Sequence, residues 1–423
     1  MKLVLASYGG RGDVEPAVVV ARELQGRGHD VRMVVPPNLV SFAEKAGLNA
    51  TAYGLDSQPI LDLQRKYFTC YSHTPWKLKE LNRMSSETAE FAAECWADMT
   101  STLTSVADGA DLLLTGLIFE QPAANVAERL GIPLATLHYF PTRVHGQLLP
   151  FLPAPLSRMG MTINDWVAWR ATRASEDAQR RELGLPNATG PAPRRIAERG
   201  GSLEIQAYDE VVFPRLAAEW AKRDGLRPFV GALAMASPTD IDGEVAAWAA
   251  EGTPPIFFGF GSVPLGSPVD TIAMISRACA RLGERAILGA GGTEFGEVPP
   301  SGHVKVVGQV NYATIFPVCR AVVHHGGSGT VAAALRGGVP QLILWTLPDQ
   351  PFFAAQLKRL KVGAGRRFAT TTEKTLVSDL RRILAPQYAV HARDIAQQMS
   401  TPAESVVAAA DSLENFARLR CGV

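Results

Sequence analysis

The sequence predicts an α/β protein made of two doubly wound domains in tandem. Three observations carry this. Short continuous apolar runs recur through both halves, as strands buried on both faces of a parallel sheet require. Helical patterns separate those runs, the mark of βαβ units. The chain, at 423 residues, is also too long for one ordinary domain.

In chain order, KLVLA at Lys2–Ala6 reads as the first strand, and Pro16–Arg27 as the helix that follows it. The next strand is His29–Pro36, with a short helix at Ser41–Ala46. Asp111–Gly116 and Pro133–Phe140 are further strands around a helix at Ala123–Leu130, and Leu203–Asp209 closes the half. Residues 57–107 and 142–198 depart from this rhythm as long, aromatic-rich amphipathic insertions. The second half repeats it, with strands at Pro254–Ser262, Arg285–Gly291, His303–Gly308, Ala321–Gly327 and Pro340–Trp345. The expected organisation is a first domain over 1–209, a polar linker over 210–227, a second domain over 228–402 and a terminal helix over 403–423 that packs back on the first domain. A cleft is expected between the two domains.

Composition narrows the function. With 42 basic and 41 acidic side chains the net charge is +1, which gives no support to nucleic-acid binding. No apolar run approaches the ~20 residues of a membrane span, and Leu3–Ala6 is too short for a signal peptide. The expectation is a cytoplasmic protein, with peripheral membrane contact left open. The five scattered cysteines, Cys70, Cys95, Cys279, Cys319 and Cys421, form no CxxC and read as reduced thiols.

Three turns at strand ends carry the chemistry. HHGGSGT (His324–Thr330) runs from a strand straight into a helix. Its glycines permit a tight turn and close backbone approach, and the helix N-terminus presents free N–H groups to an anion. His325, Gly327, Ser328, Gly329 and Thr330 are therefore candidate phosphate contacts; the plain alternative is a capped turn with a buried histidine. FGFGS places Gly261 and Ser262 at another strand end, where a ligand-free glycine turn explains it equally well. In PDQPFFAAQ, Asp349 and Gln350 suit the hydroxyls of a sugar, while Asp349 also fits an N-cap with Pro351 in the first turn.

The N-terminal SYGGRGDVEP (Ser7–Pro16) lacks the third glycine of a dinucleotide fingerprint, and the second strand ends in Pro36-Pro37 rather than an acid. The phosphate-cradle reading is weak there. Asp13 stands as either an N-cap or a carboxylate able to take a proton from a hydroxyl, with Gly10 and Gly12 making room for a bulky substrate. Glu120, His138 and His145 lie near strand ends facing the expected cleft and read as structural or acceptor-lining rather than catalytic, with Glu120 and His138 expected on the acceptor side. Asp240-Ile241-Asp242 has the DxD spacing of some metal-binding transferases but precedes a helix and reads as a cap. No metal-ligand cluster is apparent, so no metal or other cofactor is expected.

RGDVEP, FGFGS, VGQVNYATIFP, HHGGSGT and PDQPFFA occur in the order found in nucleotide-sugar glycosyltransferases of the GT-B fold, two Rossmann-like domains. Over nearly its whole length the chain resembles bacterial enzymes that decorate glycopeptide antibiotics, and most closely those that glycosylate mycobacterial glycopeptidolipids. The resemblance implies inverting, metal-independent transfer of a sugar such as a deoxyhexose from a dTDP or UDP carrier. It implies Asp13 as general base, His325, Ser328, Gly329, Thr330 and Ser262 at the diphosphate, Val307, Gly308, Val310 and Asn311 along the base and ribose, and Asp349 and Gln350 at the sugar. It also implies an amphiphilic lipid or peptide acceptor bound by the first domain. The family often carries Arg-Gly-Trp near the nucleobase; here Gly289-Ala290-Gly291-Gly292 follows that strand, which leaves uracil-versus-thymine preference open. The rival readings are a sterol, lipid or natural-product glucosyltransferase, a sugar epimerase of the same fold, and a non-catalytic sugar-nucleotide binder.

Overall fold

The computed structural model describes residues 1–74, 76–147, 152–221, 225–235, 237–260, 268–290, 302–347 and 349–421. The chain forms two compact units: Met1–Tyr67 with Lys77–Met235 and Ser400–Val423, and Phe68–Trp76 with Ala236–Met399.

Unit 1 begins β1 (Lys2–Ala6), α1 (Arg11–Gly26), β2 (Asp30–Val35), α2 (Val40–Lys45) and β3 (Ala50–Ala52). The insertion follows as α3 (Ser57–His73), which begins in this unit, and α4 (Leu78–Ala107). Then come β4 (Leu112–Thr115), α5 (Glu120–Leu130), β5 (Leu134–His138), α6 (Ala154–Glu182), α7 (Ala192–Glu198), β6 (Leu203–Gln206) and α8 (Pro214–Trp220). The six strands pair in parallel in the order β3-β2-β1-β4-β5-β6. Alternate residues of β1 face opposite cores: Leu3 and Leu5 pack with α1, Val4 and Ala6 with α4 and α5. Each such side chain is fully buried, at a gain of about 1.5–3 kcal/mol for a large aliphatic one.

Unit 2 runs α9 (Asp242–Ala250), β7 (Ile256–Gly259), α10 (Pro268–Leu282), β8 (Ala286–Gly289), β9 (Val304–Val307), α11 (Tyr312–Ile315) and β10 (Ala321–His324). It continues through α12 (Ser328–Arg336), β11 (Gln341–Trp345), α13 (Gln350–Leu360), β12 (Gly363–Arg367), α14 (Glu373–Ile383) and α15 (Pro386–Ala396). Its parallel sheet has the order β12-β11-β10-β7-β8-β9. Relative to each unit's own first strand the two sheets share one topology, with the strand order reversing between β1 and β4 in unit 1 and between β7 and β10 in unit 2. The last helix, α16 (Pro402–Cys421), belongs to unit 1. Ala409, Ala410, Leu413 and Ala417 of α16 are buried in the core that holds α1, and Asp411 and Glu414 take Arg27 and His29 at 2.6 and 2.8 Å.

The fold class agrees with the sequence reading, and several local bounds move. α1 starts at Arg11 rather than Pro16, because its first turn is polar and apolar periodicity starts only at Val14. β3 (Ala-Thr-Ala) and β12 (Gly-Ala-Gly-Arg-Arg) carry no apolar run that marks them in the sequence. The segment 210–227 holds α8, with Leu216 and Trp220 buried. Among the described residues no helix is long and apolar enough to cross a membrane.

Candidate active site

Ligands of open α/β sheets bind outside the carboxyl ends of the strands where the strand order reverses. In unit 2 that point lies between the carboxyl ends of β7 and β10. The β10 turn is held from below by His324, which is fully buried. Its Nδ1 accepts the Gly326 N–H at 3.1 Å, so its Nε2 carries the hydrogen and donates to Gln341 Oε1 at 2.9 Å. Burial, and then His325 beside it, lower the His324 pKa to about 3. Gly326 has φ +102°, and a Cβ there would lie 2.8 Å from Ile343 Cγ2; only glycine fits.

The second histidine of the pair is placed differently. Gly327 lets the His325 ring fold close, since a Cβ at 327 would sit 2.8 Å from its Nε2. His325 Nδ1 is buried without a partner, and burial lowers its pKa to about 4, leaving a neutral imidazole. Next to it α12 opens at Ser328 after Gly327, an N-cap with no side-chain acceptor, so no side chain caps the helix's first amides. Ser328 and Thr330 are half-buried and Gly329 is exposed.

Other predicted donor contacts separate. Gly261 and Ser262 lie outside the described residues. Val307 and Val310 are buried and Gly308 is exposed. Asn311 caps α11, its Oδ1 accepting the Ala313 N–H at 3.2 Å, and its own N–H donates to Asp242 Oδ1 at 2.8 Å. Asp242 also accepts the Thr239 N–H and hydroxyl, both at 2.7 Å, which makes the DxD a turn brace. Asp349 is half-buried at the start of α13, and burial raises its carboxyl pKa. Gln350 requires a correction. Its Oε1 accepts N–H groups of Thr346 and Leu347 at 2.8 and 3.0 Å, so this carbonyl holds the β11–α13 loop rather than standing open to a sugar.

In unit 1 the strand order reverses beside the turn after β1. Asp13 is the third residue of α1, not its N-cap, which is Gly10. Its Oδ2 accepts the Gly10 N–H at 2.8 Å. Gly9, not singled out in the sequence, is the glycine this arrangement needs. Its φ is +127°, and a Cβ there would lie 2.4 Å from Asp13 Oδ2 and 2.9 Å from Ile118 Cδ1. Gly10 has Leu61 Cδ1 at 3.4 Å from an added Cβ, whereas Gly12 is exposed with nothing within 4 Å; Gly12 makes no room for anything. The main-chain oxygen of Asp13 accepts the Ser7 hydroxyl at 2.9 Å and the Tyr139 hydroxyl at 2.8 Å. No spacing rule in the sequence joins these residues.

Glu120 and His138, expected on the acceptor side, are turned inward. Glu120 is 6% exposed, accepts two Arg143 nitrogens and takes the Thr136 hydroxyl at 3.1 Å. Arg143 also donates to Glu204 at 2.6 Å, as Arg227 does at 2.5 Å. An ionised carboxylate is stable there because it is paired, and that pairing removes it from substrate. His138 is wholly buried, with Nδ1 2.9 Å from Thr142 Oγ1, and burial lowers its pKa well below the usual histidine value. Leu61 and Ile118 come close to the Gly9–Gly10 turn that precedes Asp13.

Two parallel six-stranded sheets of this order match the fold of GT-B glycosyltransferases. Comparison with known proteins agrees. Residues 3–144 match the glycosyltransferase family 28 N-terminal domain, and residues 263–412 match the erythromycin biosynthesis protein CIII-like C-terminal domain. An uncharacterized glycosyltransferase of Mycobacterium tuberculosis is 57% identical over 421 residues, covering 99% of both chains. The vancomycin aglycone glucosyltransferase of Amycolatopsis orientalis is 28% identical over 429 residues, with 96% of each chain covered. The crystal structure of glycosyltransferase VinC in complex with dTDP superposes with a TM-score of 0.67 at 19% identity, covering 100% of both chains. The chain belongs to this family of glycosyltransferases, with a family 28 N-terminal domain and an erythromycin biosynthesis protein CIII-like C-terminal domain.

Proposed function

We propose that the protein moves a hexose or deoxyhexose from a dTDP carrier to a hydroxyl of an amphiphilic acceptor, a glycopeptidolipid-type lipopeptide, with inversion and without a metal. The observation that carries this reading is the division of chemistry between the two reversal points. Unit 2 offers a diphosphate the amides opening α12 and the unpartnered Nδ1 of neutral His325. Unit 1 offers an acceptor the Asp13 carboxylate, held by the Gly10 N–H beside a turn that Leu61 and Ile118 approach. The dTDP bound to VinC supports the carrier, and the vancomycin aglycone named as the substrate of one relative supports a large acceptor.

In this mechanism Asp13 takes the acceptor proton as the hydroxyl attacks the anomeric carbon. The sugar–phosphate bond breaks on the opposite face, and the departing diphosphate gains negative charge. The α12 amides, fixed in place before the reaction, stabilise that charge without reorganising, and an imidazole N–H of His325 donates to it. Asp349 contacts the sugar hydroxyls. An exposed apolar stripe on α6, formed by Leu156, Met159, Ile163 and Val167 at 46–64% exposure, supports peripheral contact of a cytoplasmic enzyme with a lipid surface.

The test is nucleotide release from dTDP-glucose, dTDP-rhamnose and the UDP sugars, with and without a glycopeptidolipid aglycone. Release that requires the aglycone supports transfer. Release without any acceptor supports an epimerase. Tight nucleotide binding with no turnover on any acceptor supports a binder.

A further inference from the structure

We infer that Tyr139, together with Ser7, is a positioning residue that sets where the Asp13 carboxylate stands; this rests on the reading of Asp13 as the base. Both hydroxyls donate to one atom, the main-chain oxygen of Asp13, at 2.8 and 2.9 Å. They reach it from different strands: Ser7 directly follows β1 and Tyr139 directly follows β5. The strand between them, β4, is followed by Gly116, where a Cβ would lie 2.8 Å from Tyr139 Oη and 3.5 Å from Ser7 Oγ. Two strands thus send hydroxyls to a single carbonyl, and the strand between them is kept bare beside both hydroxyls.

Tyr139 suits this task because its ring belongs to the core that also holds Val14 and Ala17 of α1. The position of Oη is therefore fixed by packing, not by the turn it holds. Burial, then the Asp13 charge nearby, raise the Tyr139 pKa, so its hydroxyl stays a donor through the working pH range. On the other side the Gly10 N–H holds the carboxylate at 2.8 Å. With the residue's main chain and side chain both gripped, Asp13 has little freedom, as a group that must meet an incoming hydroxyl requires.

Tyr139→Phe deletes the hydroxyl and keeps the ring. With dTDP-glucose and the glycopeptidolipid aglycone, kcat should fall about five- to tenfold, the scale of one neutral hydrogen bond, with both KM values and dTDP affinity unchanged. Gly116→Ala should lower kcat similarly by pushing Oη away. The double variant should be no worse than Gly116→Ala alone, because the phenylalanine relieves the clash; a merely structural role gives additive losses instead. A crystal structure of the Tyr139→Phe protein supplies a readout free of substrate, and the Asp13 carboxylate should have left the Gly10 N–H. Wild-type kcat with Asp13 unmoved overturns the proposal, as does a kcat loss that only tracks a lower melting midpoint. The base reading fails separately, if Asp13→Asn turns over at the wild-type rate.

Discussion

The two reversal points make an instructive pair. Both lie at the carboxyl edge of a six-stranded parallel sheet of the same order, and both are followed by a helix. After β1 the turn is organised around one residue: Gly9 clears space for the Asp13 carboxylate, the Gly10 N–H holds that carboxylate, and the Ser7 and Tyr139 hydroxyls hold the main-chain oxygen of Asp13. After β10 the turn is organised around its backbone: Gly326 and Gly327 keep it tight, and the amides of α12 carry no side-chain cap. One fold thus hosts opposite electrostatics, a fixed negative charge in unit 1 and a concentration of N–H donors in unit 2. Topology sets where chemistry occurs, and the residue filling the turn sets its sign.

The strongest way to break this comparison is to exchange loss of turnover for loss of binding. Asp13→Asn should lower kcat by about 10²–10⁴-fold, the range of general base catalysis, and leave dTDP affinity within about twofold, the spread of an untouched site. Wild-type turnover removes the base assignment. His325→Ala should do the reverse and weaken dTDP about tenfold or more by calorimetric titration, the scale of a hydrogen bond to a charged group. An unchanged dissociation constant removes His325 from the diphosphate.

Acid tests what the units have in common. His138 and His145 in unit 1 and His324 in unit 2 are buried and neutral, the last two with pKa values lowered by burial to about 4 and about 3. Their folded values lie below the unfolded one, so the unfolded chain binds more protons as pH falls below about 6.5. Stability is therefore full above that pH and declines toward pH 4, by on the order of 1 kcal/mol per histidine per pH unit. The melting midpoint should drop steadily between pH 6.5 and 4.5; a flat profile contradicts the burial assignments. The smallest effect is the most local. Gly12→Ala should stabilise α1 by about 0.5–1 kcal/mol, because position 12 is helical and open, with activity retained. The same change at Gly9 should displace Asp13 and abolish turnover.

Much of this was readable in advance for a physical reason. Strands buried on both faces must be apolar throughout, so β1, β4, β7 and β10 stand out, and glycine-rich turns mark where backbone approaches a ligand. Elements without that constraint stayed hidden. β3 is three residues of Ala-Thr-Ala at a sheet edge, and β12 is Gly-Ala-Gly-Arg-Arg, neither of which has an apolar run. Orientation was hidden as well. Sequence places Glu120 and His138 at strand ends, but only the fold shows that Arg143 takes the first and that the second lies beneath Thr142. The same limit applies to Tyr139, whose partner is 126 residues away.

Unit 1 is assembled from distant stretches, since α16 packs on α1. During synthesis the apolar side of α1 around Val14, Val18 and Leu24 emerges early, whereas Leu413 and Phe416 leave the ribosome almost 400 residues later. Throughout that interval, in which residues 236–399 of unit 2 are made, the α16 share of the unit 1 core is missing. Unit 2 has its complete core before unit 1 does, although unit 1 starts first. The order of completion therefore inverts the order of translation, and the first domain reaches its full core only once α16 has been made.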